Sequence, residues 1–155
     1  MPPRAARGFT LLELMIVLLI AGITLGLATL NLAPTMHKNL QNEAQRVALL
    51  LQLARDEAIV RNRLVAFEAD GDGYRFLVRN ESRWDLVEGD DLLRERPFKH
   101  GPLILTLDPA QDNAPNTARI VFGREPVDKP FVFTLASGAD AVAIRADGIG
   151  HFDVQ

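Results

Sequence analysis

A single stretch limits what this chain can become. Residues Phe9 to Ala33 read FTLLELMIVLLIAGITLGLATLNLA, and Glu13 is the only charge among them. A run this long is too extended for one strand. As a helix it reaches roughly 37 Å at about 1.5 Å per residue, enough to cross a bilayer core. Arg4 and Arg7 precede it with no acidic neighbour, so the positive-inside bias leaves the first eight residues in the cytoplasm and the chain beyond the helix outside. An ordinary secretory signal would have a shorter apolar core and a small-x-small cleavage site. Here Asn31 and Leu32 precede Ala33, and Pro34 comes after it, so that pattern is missing. Apolar length alone does not separate an uncut anchor from a processed one.

The string RGFTLLELMIVLLIAGI, Arg7 to Ile23, resembles the N-terminal signature of type IV pilins and type II secretion pseudopilins. The resemblance rests on Gly8, Phe9, Thr10, Leu11, Leu12 and Glu13 occurring together. It implies that a prepilin peptidase cuts between Gly8 and Phe9 on the cytoplasmic side and methylates the new amino group of Phe9. The physical reading agrees, because Gly8 leaves the backbone open to a protease where a branched side chain would crowd it.

Glu13 stands out. A carboxylate deep in a bilayer costs about 2.5–3.5 kcal/mol on insertion scales and is kept only with a partner or a role. Close to the interface it could instead snorkel to water. The resemblance implies assembly: the matching glutamate meets the N-terminal ammonium of a neighbouring subunit, so Glu13 is expected to join this protomer to other pseudopilins.

Past the apolar run, Pro34 removes a backbone donor, and a bend is expected over Asn31 to Thr35. From His37 to Arg63, Leu40, Ala44, Val47, Ala48, Leu51, Ala54 and Ala58 recur at spacings of three and four and draw one helical stripe. Leu49, Leu50 and Leu53 widen it, either into a fully buried helix or into a second face toward other subunits. After Leu64 the period shifts toward two. Strands are expected at Leu64–Ala69, Tyr74–Arg79, Leu103–Leu107, Ile120–Phe122, Phe131–Leu135, Val142–Arg145 and His151–Val154. Asp70 to Gly73 should form a hairpin turn, Asn80 to Pro102 a long hairpin or loop, and Asp108 to Thr117 a surface loop. The expected fold class is therefore α+β, a long N-terminal helix packed on an antiparallel β-sheet head. The expected organisation is a basic leader (1–8), a membrane and assembly helix (9–33), an amphipathic half (34–63) and a periplasmic β-rich head (64–155). LLQLARDEAIVRNR, Leu50 to Arg63, and the ending Phe131 to Val154 resemble the H-type minor pseudopilins and the related FimT pilins.

The chemistry of the head points away from catalysis. No G-x-S-x-G, P-loop or Rossmann fingerprint occurs, and His37, His100 and His151 lack metal-site spacing. Asp70, Asp72, Asp90 and Asp91 lack the ligand pattern of a helix-loop-helix calcium loop. The expectation is no enzyme, no cofactor and no metal, with a membrane-tethered periplasmic enzyme as a remote alternative. No cysteine is available for a staple or a thiolate site.

Charge bears on the choice within the pilin superfamily. Of 17 Lys and Arg and 20 Asp and Glu, only Arg4, Arg7 and Glu13 precede Thr35, so the head is net acidic. Beyond Pro130 the single Arg145 faces Asp140, Asp147 and Asp153, and a C-terminal basic patch for DNA is absent. Nucleic acid is not an expected partner. Other pseudopilins, major and minor, the prepilin peptidase and the inner membrane of a Gram-negative bacterium are. A FimT-like minor pilin of a type IV pilus, active in pilus biogenesis or DNA uptake, is the alternative reading, and Arg75, Arg79, Arg83, Arg94 and Arg96 would have to cluster to support it.

Overall fold

A computed structural model describes residues 11–30, 33–110 and 114–155. The chain divides into two compact units after Thr35. The first contains α1, Leu11–Leu30, an unbroken apolar helix.

In the second unit the part of α2 (Ala33–Val60) from Met36 onward supplies one wall of the core. Pro34 stands in the first turn of the helix, where its missing N–H has no intrahelical acceptor to lose. The bend expected there involves residues 31 and 32, which lie outside the described residues. The stripe is as periodicity predicts: Leu40, Ala44, Val47, Ala48, Leu51, Ala54 and Ala58 are all buried. Leu50 is buried too and Leu53 packs against the core, whereas Leu49 is 68% exposed, so the second apolar face shrinks to isolated positions. The helix stops at Val60, short of the expected Arg63. Asn62 takes a left-handed φ of 52°, Arg63 N–H donates to Ala58 C=O at 3.0 Å, and Asn62 N–H donates to Ile59 C=O at 3.2 Å. These paired bonds form a Schellman cap, with Asn in the place glycine usually holds.

The head forms two antiparallel sheets where one was expected. The first runs β3-β2-β1-β6, with β4 also paired to β2; the second runs β5-β7-β8-β9. Their strands are β1 (Val65–Ala69), β2 (Gly73–Asn80), β3 (Arg83–Leu86), β4 (Arg96–Pro97), β5 (Ile104–Asp108), β6 (Ala118–Phe122), β7 (Phe131–Ser137), β8 (Asp140–Ala146) and β9 (Phe152–Val154). Strands β3 and β4 fall in the segment expected to be a long hairpin or loop. They are four and two residues long, too short and too polar to show a period of two.

Register explains the core. Phe67 pairs with Phe76 and Ile120 in the first sheet, and Phe133 pairs with Leu107 and Ile144 in the second. The Phe67 and Phe133 rings meet edge-on at 5.7 Å, so the two sheets share one apolar interior. Both rings are fully buried, and each is worth roughly 1.5–3 kcal/mol in transfer alone. The Asp70–Gly73 hairpin turn forms as expected, with Asp70 N–H donating to Gly73 C=O at 3.0 Å. Leu103 N–H donates to Gly71 C=O at 2.8 Å and ties the turn to the start of β5, where the Asn116 amide donates to Leu103 C=O at 3.1 Å and accepts from Leu105 N–H at 2.7 Å. Gly71 fits beneath because a Cβ there would lie 2.6 Å from the Asn116 amide nitrogen.

Candidate functional site

The residues singled out from sequence fall in three places. Gly8 and Phe9 lie outside the described residues. Glu13 lies in the first turn of α1, exposed, at the end where the helix dipole favours an anion. Leu11, Leu12, Leu14, Met15, Ile16, Val17, Leu18, Leu19, Ile20 and Ile23 are 48–78% exposed, so apolar side chains surround α1 on every side. The Thr24 hydroxyl turns inward, donating to Ile20 C=O at 2.9 Å and lying 3.0 Å from Ala21 C=O. That leaves the Thr24 hydroxyl satisfied within its own helix. A helix apolar all round belongs in a large core or a lipid-like setting. Among the described residues no helix is long and apolar enough to cross a membrane; positions 9, 10, 31 and 32 of the expected span lie outside them.

Two of the four acidic residues weighed for calcium, Asp70 and Asp90, serve as turn caps. Asp70 Oδ1 accepts from Asp72 N–H at 2.9 Å and Gly73 N–H at 3.0 Å, and Asp90 Oδ1 accepts from Leu92 and Leu93 N–H. Among the described residues no group of three His, Cys, Asp or Glu could hold a metal ion. His37 faces Asp140 at 3.6 Å, and His151 Nδ1 lies 2.6 Å from Asp147 Oδ2. The His151 contact, and after it the N–H groups of Ile149 and His151, holds the Asp147 carboxyl well below the usual carboxylate range.

Sequence reasoning did not single out Arg55, yet it joins the two segments that carry the H-type resemblance. From α2 its Nη2 donates to Pro126 C=O and, at 3.2 Å, to Ile149 C=O, while Asp128 N–H donates to Gly148 C=O at 2.7 Å. Gly148 has a φ of 82°, and a Cβ there would lie 2.3 Å from Asp128 O. One guanidinium thus fixes the 123–130 and 147–151 loops to the helix. Only the G-x-G spacing at Gly148 and Gly150 could have signalled this, since it marks close backbone approach.

The arginines divide. Glu68 on β1 holds both Arg75 and Arg119 at 2.9 Å. Trp84, on edge strand β3, has the Arg79 guanidinium 5.7 Å and the Arg119 guanidinium 4.9 Å from its ring centre. Arg119 belongs to β6, at the opposite edge of the sheet, so indole and guanidinium meet over the strands between. That roof accounts for full burial of Ala66 on the outer face. Arg83 pairs with Asp85 at 2.7 Å, Arg96 turns to Asp91 C=O at 2.5 Å, and Arg94 stays exposed. The clustering is thus partial: Arg75 and Arg96 line one recess with Arg119, Arg79 and Arg83 line another with Arg63, and Arg94 lines neither.

Comparison with known proteins completes the picture. A model of the prokaryotic N-terminal methylation motif matches residues 3–29, the stretch containing Gly8, Phe9 and Glu13. Type II secretion system protein H of Pseudomonas aeruginosa is 39% identical over 90 residues, covering 56% of this chain and 52% of that protein. The protein of the same name from Aeromonas hydrophila is 29% identical over 89 residues, covering 56% of this chain and 49% of the other. The chain therefore spans about half the length of the curated relatives it matches. The minor pseudopilin EpsH of the Type 2 Secretion System of Vibrio cholerae superposes with a TM-score of 0.58 at 18% identity, covering 76% of this chain and 96% of EpsH, a likeness of fold. A family model described as Type II transport protein GspH matches residues 43–150, most of the head and the amphipathic helix, and the chain belongs to that family.

Proposed function

We propose that the chain is a minor pseudopilin of the type II secretion system, a structural subunit of the periplasmic pseudopilus that drives protein export across the outer membrane. What carries the reading is the joining, in one chain, of an N-terminal methylation motif at residues 3–29 to a GspH-type head at residues 43–150. Relatives named type II secretion system protein H support it. The residues of the apolar run then have distinct roles. Gly8 presents the scissile backbone to the prepilin peptidase, Phe9 becomes the methylated N-terminus, and Glu13 accepts the ammonium of an adjacent subunit. The apolar run from Phe9 to Ala33 sits in the inner membrane with the leader cytoplasmic and the head periplasmic, its apolar sides meeting lipid before assembly and other pseudopilins after it. The subunit acts by position and contact rather than by catalysing a reaction.

Intact-mass measurement on membranes containing a prepilin peptidase tests this. The mass should fall by residues 1–8 and rise by one methyl group on Phe9, and Gly8→Val should stay uncut, because a β-branched side chain obstructs the extended backbone. Normal trimming of Gly8→Val would remove the reading's main support.

A further inference from the structure

A recess of about 660 Å³ opens where α2 ends beside the β2–β3 turn, lined by Arg63, Arg79, Asn80, Glu81, Ser82 and Arg83. The Asn62 cap turns the chain so that Arg63 arrives next to β2, where Arg79 N–H donates to Leu64 C=O at 2.9 Å. Three guanidiniums therefore converge on a lining whose only carboxylate is Glu81, although the chain as a whole carries a net charge of -3.

These arginines are not equally engaged. Arg83 is taken up by Asp85 at 2.7 Å. Arg63 lies 3.4 Å from the Asn80 amide oxygen, and Arg79 reaches the Glu81 main-chain oxygen at 3.3 Å. Among the described contacts, then, Arg63 and Arg79 meet neutral oxygens and no carboxylate. Their supports are fixed. Asn80 is held by its amide nitrogen on Asp85 Oδ2 at 2.8 Å, and Arg79 lies over the Trp84 ring. Beside the recess the outer sheet face continues as half-buried Trp84, then Leu86 and Val121, 45% and 41% exposed. Arginine and tryptophan flanked by modest apolar surface is the composition of a protein-binding hot spot.

We propose that this recess and the adjoining Trp84 face form a docking surface for an acidic, extended segment of another protein, whose carboxylates pair with Arg63 and Arg79 while its apolar side chains rest on Trp84 and Leu86. Charge complementarity selects the occupant: the guanidinium fork binds carboxylates in pairs, and the two arginines without a carboxylate partner offer places for a few spaced carboxylates rather than a track for a continuous polyanion such as nucleic acid. The surface does not depend on the pseudopilus assignment.

Trp84 is the chain's one tryptophan, so its fluorescence reports directly on the site. The full chain in detergent micelles is titrated with a capped decapeptide of alternating glutamate and valine, with its lysine–valine counterpart, and with a short DNA duplex. The glutamate peptide should give a saturable change that weakens with salt, while the lysine peptide gives none. Affinity should drop about tenfold in Arg63→Gln and in Arg79→Gln and stay unchanged in Arg124→Gln, an exposed arginine of another loop. Arg63→Gln leaves the Trp84 stack untouched, and anisotropy of a labelled peptide checks both variants without using the indole. No saturable response in the wild type, or wild-type affinity in both recess variants, overturns the proposal. A response to duplex DNA with the peptide silent overturns it in favour of a polyanion.

Discussion

The two helices of this chain follow opposite rules. In α2 one stripe, from Leu40 to Ala58, is buried to within 8% and Gln41, Asn42, Gln45 and Gln52 face outward. In α1 the large apolar residues from Leu11 to Ile23 stay about half or more exposed on every side. The difference lies in how apolar residues are distributed around the circumference. A stripe can be closed by the protomer's own sheets; a helix apolar all round calls for a large core or a lipid-like setting. The first helix therefore reports on surroundings, the second on the fold.

The comparison breaks most readily in the core. Phe67→Ala removes the ring that joins both sheets beneath α2 and should destabilise the head by about 3–5 kcal/mol, whereas Leu18→Ala in α1 should leave it within about 0.5 kcal/mol. Urea unfolding of the full chain in micelles, monitored by the single tryptophan, measures both. Equal losses would mean that α1 supports the head as α2 does.

A smaller effect comes from the loops fastened to α2. Gly148→Ala brings a Cβ against Asp128 O at a left-handed φ, and Arg55→Met strips the donors from Pro126 and Ile149 C=O; each should cost about 1–3 kcal/mol in the same titration. Should the two changes cost no less together than the sum of their separate losses, the loops and Arg55 would not form one unit.

The smallest effect is acid dependence. The folded carboxyl of Asp147 lies below its ordinary value, so its contribution is complete above about pH 4 and is lost as pH falls through the folded value. Asp147→Asn should therefore flatten the acid limb of the stability curve below about pH 4, the wild type's small advantage being present at neutral pH and disappearing as pH falls through the folded value. Because this carboxyl is exposed, the change is one of slope, read from melting temperature against pH.

Much of this was legible in the sequence, for a physical reason that also marks the gaps. The stripe from Leu40 to Ala58, the Asp70–Gly73 turn and the longer strands are local patterns of period and turn chemistry. Strands β3 and β4 were not legible, because they are short and held mainly by pairing to β2, which no local pattern encodes. The split into two sheets depends on ring contacts such as Phe67 with Phe133, far apart in the chain. Arg55 escaped for the same reason: its acceptors are main-chain oxygens at positions 126 and 149. The Arg79–Trp84–Arg119 arrangement needs three strands in register before it exists. At the N-terminus the motif is plain in the sequence, because Gly8 to Glu13 are consecutive residues.

Co-isolation of partner pseudopilins from detergent-solubilised membranes, comparing wild type with Glu13→Leu at equal expression, tests most directly whether α1 is completed by other subunits. The variant should insert, since an intramembrane carboxylate is replaced by an apolar side chain, and be cleaved, since Gly8 and Phe9 are untouched. Yet, under the proposed assembly role, it should recover several-fold less of its partners, because the neighbouring Phe9 ammonium would lose its countercharge in a medium where an uncompensated ion is costly. Equal recovery of partners by the two proteins would contradict the assembly role given to Glu13 and, with it, the account of α1 as the helix through which the subunit is built in.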